Sequence, residues 1–151
     1  MPNPGNDFKS AIIEEIISWN QPHIKIYSEV MVGSRFVGAK RKLDLVLQFE
    51  SRSLGLETKT QQSSGTAYQK LSYAIEDAKR TPIPTLVVFS GDFIQPDVKA
   101  LLVSSGIGLE VEWSLDNGFG SGVDVLKQRI LIELGLDWLS DQKDRLVFPL
   151  I

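Results

Sequence analysis

Two short apolar runs, LDLVLQF (43–49) and SLGLETKTQ (53–61), follow one another with only the polar ESRS between them. Each has the length of a strand rather than a helix, and the spacing predicts a hairpin. The first run is apolar enough to be buried on both faces. Yet it carries Asp44, and the second carries Glu57 and Lys59. Burying a charge is costly unless it is paired or coordinates a metal. Any fold for this chain must therefore give those three side chains partners.

The rest of the sequence is ordered around this pair. Phe8, Ala11, Ile12, Ile16 and Trp19 recur at helical spacing and predict a helix over 8–19, with Asp7 as its cap. HIKIYSEVMV alternates as a first strand, and GSRFVGAKR then reads as a loop. QSSGTAYQKLSYAIEDAKR predicts a helix starting near Thr66, where Thr66 and Gln69 match a capping box. TLVVFS reads as a central buried strand and QPDVKALLVSSG as a short helix with Pro96 in its first turn. GLEVEW reads as an edge strand and GVDVLKQRILIEL as a last helix. The order α-β-β-β-α-β-α-β-α predicts an α/β fold with a mixed central sheet flanked by helices. With 151 residues, a single domain over 1–151 is expected.

Composition narrows the chemistry. No cysteine is present, so disulfides and thiolate metal sites are excluded, and one histidine, His23, excludes zinc sites built on several imidazoles. His23 reads as an ordinary loop residue, and Trp113 and Trp138 as core or interface. A metal would be held by oxygen, which favours Mg2+ or Mn2+. The N-terminus MPNPGNDF lacks the basic and apolar parts of a signal peptide, and no run approaches a membrane span. A reducing, cytoplasmic location is expected. The net charge of −3 is unevenly spread: residues 32–70 hold seven Lys/Arg against three acids, while both flanking blocks are net acidic. A local basic block is the footprint of a nucleic-acid surface, or simply a solvated loop.

The pattern (D/E)-x-K occurs at 7–9, 57–59, 77–79, 97–99 and 141–143. Residues i and i+2 do not face each other on a helix, which sets aside the copies at 7, 77 and 97. The copy at 141 lies in a polar tail. Only Glu57-Thr58-Lys59 lies in a strand, where i and i+2 share a face. Asp44, on the neighbouring strand, can approach Glu57 across the hairpin. Two such carboxylates repel unless a cation lies between them. A divalent metal held by Asp44, Glu57 and the Thr58 carbonyl resolves the conflict. A Glu57–Lys59 ion pair, with Asp44 at an exposed strand end, is the plainer alternative. Glu15 falls on the apolar side of the first helix, so it either meets a metal site beneath or lies at the rim.

A helical Glu15, a strand Asp44, a strand Glu57-x-Lys59 and a following helix bearing Gln69-Lys70 resemble the PD-(D/E)XK nuclease superfamily, the restriction-endonuclease-like enzymes. The resemblance covers roughly residues 7 to 92, the α-β-β-β-α-β core. One departure is Leu43, where many members have proline before the aspartate. The resemblance implies Asp44 and Glu57 as metal ligands, Lys59 as the catalytic lysine and Glu15 as an accessory carboxylate. It implies Mg2+-assisted phosphodiester hydrolysis in double-stranded DNA by an endonuclease of restriction, homing or phage type. A non-catalytic DNA-binding or assembly subunit that kept the fold is the alternative.

Substrate contacts are expected from Arg35, Lys40, Arg41 and Lys42 in the basic loop. Ser63 and Ser64 precede a helix N-terminus, a natural phosphate contact. Gln61 shares the parity of 57 and 59 and either touches substrate or ends the strand in solvent. Lys70 is a phosphate contact or plain surface. Cutting both strands calls for a homodimer or higher homo-oligomer. The apolar tail LDWLSDQKDRLVFPLI would serve as its interface or close the chain's own core.

Overall fold

The computed structural model describes residues 4–34, 40–60, 67–91 and 96–138. A five-stranded mixed sheet runs in the order β1-β2-β3-β4-β5. β1 (Lys25–Ser34), β2 (Lys40–Phe49) and β3 (Arg52–Thr60) form an antiparallel meander. The β2–β3 turn is a two-residue hairpin with Glu50 at φ 54, the left-handed backbone such turns favour. Helix α2 (Ala67–Lys79) returns the chain so that β4 (Thr85–Ser90) lies parallel to β3. Helix α3 (Pro96–Ser104) returns it again to β5 (Gly108–Glu110), parallel to β4.

β4 explains why a continuous apolar run is needed in the middle. Its alternate side chains face two separate cores. Leu86 and Val88 join Leu45, Leu47, Leu54 and Leu56 beneath α1 (Pro4–Ser18) and α4 (Val123–Leu134). Val87 and Phe89 pack on the other face against Leu71, Ile75, Val98 and Leu102 of α2 and α3. Helices therefore cover both faces, as the element order predicts. Gly55 of β3 sits where a Cβ would come within 2.7 Å of both Leu43 Cδ1 and Thr85 Oγ1, so close packing demands glycine there.

Three expectations are corrected. Helix α1 begins at Pro4, so Asp7 lies inside its first turn, where a carboxylate suits the helix dipole, rather than capping it. β2 begins at Lys40, which places Lys40, Arg41 and Lys42 in a strand and not in a loop. GLEVEW is not one strand. β5 stops at Glu110, and the Glu112 backbone exchanges hydrogen bonds with Gly120 and Ser121, which draws the chain off the sheet edge. β6 (Trp113–Ser114) and β7 (Gly118–Phe119) then form a small second sheet, whose Trp113 and Phe119 rings flank Phe8. The tail beyond Trp138 lies outside the described residues.

Candidate active site

The β2–β3 ladder runs from Phe49↔Arg52 to Leu45↔Leu56, which brings Asp44 opposite Glu57 at its end. There the carboxylate takes over from the backbone. Asp44 Oδ2 accepts the Thr58 N–H at 2.8 Å and the Thr58 hydroxyl at 3.3 Å. This bond fixes the orientation of Asp44 and occupies the amide of the very residue whose carbonyl was named as a ligand. Beyond it β3 pairs only with β4, through Lys59↔Phe89 and Thr60↔Ser90.

Glu57 is half-buried and hydrogen-bonded to Asp44, and its carboxyl is pushed up to about 8. Burial is the largest cause, followed by the charge of Asp44 and the bond between the two carboxyl groups. Lys59 opposes the rise without reversing it, so Glu57 answers to Asp44 more than to Lys59. Glu57 and Lys59 line a small cavity of about 50 Å3 together with Arg41, Lys42 and, from α2, Ala74 and Asp77. The result is two adjoining carboxyl groups with an amine beside them.

The other expected residues fall elsewhere. Arg41 is buried: its Nη1 donates to the Arg80 carbonyl at 2.7 Å and its Nη2 lies 4.0 Å from Asp77 Oδ1. It ties β2 to the end of α2 and is not presented to a nucleic-acid backbone, because a strand interior rather than a loop carries it. Lys42 is half-exposed and pairs with Glu29 at 3.0 Å. Glu15 is not brought to Asp44 and Glu57. It accepts a bond from Ser18 Oγ at 3.1 Å and lines a groove with Glu14, Trp113, Leu115 and Phe119. The buried line of α1 is Phe8, Ile12 and Ile16, and Glu15 lies about 60° from Ile12, on the flank that the β6–β7 hairpin covers. Among the described residues no group of three or more His, Cys, Asp or Glu is placed to hold a metal. Arg35, Gln61, Ser63, Ser64 and Thr66 lie outside the described residues, as do the side chains of Lys40, Gln69 and Lys70.

Two further charged residues meet beside Lys42. Glu29 of β1 and Lys9 of α1 form an ion pair at 2.6 Å. Only the register of β1 on β2 reveals that Glu29 stands across from Asp44, between Ser28↔Leu45 and Val30↔Leu43.

A helix, an antiparallel three-strand meander, a crossover helix and a parallel fourth strand, with Asp on β2 and Glu-x-Lys on β3, define a restriction-endonuclease-like fold. The chain belongs to the PD-(D/E)XK nuclease superfamily, whose domain model matches residues 6–117. Three solved structures are similar at low identity. An fdxN element excision controlling factor protein from Anabaena variabilis superposes with a TM-score of 0.50 at 11% identity, covering 77% of this chain and 97% of that one. An XisH family protein from Nostoc punctiforme PCC 73102 gives 0.49 at 11% identity, over 76% and 97%. The protein of unknown function AF1548 gives 0.48 at 12% identity, over 85% and 78%. No curated protein matches the sequence.

Proposed function

We propose that this chain is a divalent-metal-dependent endonuclease that hydrolyses phosphodiester bonds in double-stranded DNA. The observation that carries this reading is the meeting of Asp44 and Glu57 across β2 and β3, beside Lys59. A half-buried carboxyl pushed up to about 8 by burial, and further by the adjoining Asp44 carboxylate, is a place that a divalent cation would relieve. Asp44, Glu57 and the Thr58 carbonyl would hold Mg2+ or Mn2+. Two carboxylates with waters and substrate oxygens are an ordinary Mg2+ set. When bound, the ion would supply Lewis-acid polarisation of the phosphate and a water of lowered pKa.

The chain's own residues do the rest. The Thr58 N–H and hydroxyl hold Asp44 in one orientation. Lys59 donates from the same face as Glu57, where it orients the attacking water or offsets charge growing on the phosphate. A double-strand break calls for two such sites, supplied by two copies of the chain.

The rival is a DNA-binding or assembly subunit without catalysis. The position of Glu15, bonded to Ser18 and set in a separate groove beside the β6–β7 hairpin, favours it. Supercoiled plasmid incubated with Mg2+ or Mn2+ decides between them. Wild-type protein nicks or linearises the plasmid, and Asp44→Ala and Lys59→Ala each slow cleavage by about a hundredfold or more. Wild-type rates in both variants, or plasmid binding with no cleavage in either metal, would remove the endonuclease assignment.

A further inference from the structure

Among the described residues three non-glycines adopt positive φ: Asn20, Glu29 and Glu50. Asn20 follows α1 and Glu50 turns a hairpin, positions where left-handed backbone is ordinary. Glu29, at φ 57, sits inside β1. Such a residue is strained and persists where its surroundings require it. What the distortion serves is visible in the side chain. Glu29 Oε1 accepts from Lys9 Nζ of α1 at 2.6 Å, and Oε2 lies 3.0 Å from Lys42 Nζ of β2. The two bonds hold its carboxyl below the usual range.

Two ammonium groups from different elements thus converge on one anion, one per oxygen. The Lys9 side chain is 13% exposed and held in place, while Glu29 and Lys42 are 48% and 52% exposed, so the meeting point opens to water. Lys42 also lines the cavity of Glu57 and Lys59. A carboxylate and a phosphodiester present the same target, a single negative charge shared by two oxygens. We propose that Lys9 and Lys42 form a phosphate subsite next to the cavity that Lys42 shares with Glu57 and Lys59, and that Glu29 fills it as an internal stand-in until a nucleic-acid phosphate displaces it. This deepens the nuclease reading above and rests on it. The Glu29–Lys42 contact is open to water, where a competing anion displaces a carboxylate readily.

The test is an anisotropy titration of a short duplex in EDTA, so that nothing is cut, with wild type, Glu29→Gln, Lys9→Met and Lys42→Ala. Methionine keeps the buried stem of Lys9, and thermal melts check that each variant is folded. Glu29→Gln binds about three- to tenfold more tightly. Lys9→Met and Lys42→Ala each bind more weakly and lower the logarithmic salt slope by about one. Adding Lys9→Met to Glu29→Gln abolishes the gain. A purely structural Glu29 predicts unchanged or weaker binding by Glu29→Gln, and that result would overturn the subsite. If neither wild type nor Glu29→Gln binds duplex at low salt, the DNA reading fails instead. Inorganic pyrophosphate then judges the subsite alone: tighter binding by Glu29→Gln upholds it, and equal binding overturns it.

Discussion

Glu57 holds its proton up to about pH 8 in the folded chain, against an ordinary carboxyl value of 4.5. The sign of the consequence follows from proton counting. Between those values the folded state binds a proton that the unfolded chain has released, so stability falls as pH rises. Without divalent metal, the contribution of Glu57 is complete below about pH 4.5 and is lost as pH climbs through about 8. Urea midpoints measured in EDTA at pH 6 and pH 9 should therefore differ, the higher pH giving the lower midpoint. Glu57→Gln should shrink that difference, because the amide fills the same space without a charge to release. An unchanged difference would mean that some other group sets the slope.

At the scale of elements, the site depends on which strand ends where. The backbone ladder between β2 and β3 stops at Leu45↔Leu56, and Asp44 uses its side chain to hold β3 at Thr58. On the other side of the sheet, α1 is anchored by Phe8, fully buried and flanked by Trp113 and Phe119 of the β6–β7 hairpin. That contact fixes the rotation of α1, and with it the positions of Lys9 and Glu15. Phe8→Ala should cost about 3–5 kcal/mol, read from urea unfolding, since it removes a ring from both a core and an aromatic cluster. A loss under about 1 kcal/mol would show that α1 is held mainly by Ile12 and Ile16.

At the scale of the molecule, the two faces of the sheet are covered by different helix pairs, α1 with α4 and α2 with α3. The carboxylate pair sits towards the α2 side, where Ala74 and Asp77 border the cavity. No helix among the described residues is long and apolar enough to cross a membrane. If two copies cut a duplex together, mixing wild type with excess Lys59→Ala protein should convert linear plasmid product into nicked circles. Independent cutting by single copies would leave the ratio of linear to nicked product unchanged while the total rate fell.

Local pattern alone was enough for the strands of residues 43–61, the buried run TLVVFS, the helix order and the pairing of Asp44 with Glu57-x-Lys59. A strand repeats every second residue, and a short hairpin leaves little choice of register. The same logic did not decide Glu15 or Arg41. Whether a side chain on the margin of an apolar stripe meets a metal, a hairpin or a helix end depends on rotation and on what is packed over it. For Glu15 the deciding contact is with residues a hundred positions away, around Trp113 and Phe119, and for Arg41 it is the carbonyl of Arg80. Nothing local in the sequence links Glu29 to Lys9. Their meeting requires β1 to be laid on β2 in register and α1 to be seated on the sheet, and ion pairs between distant elements exist only once both have happened.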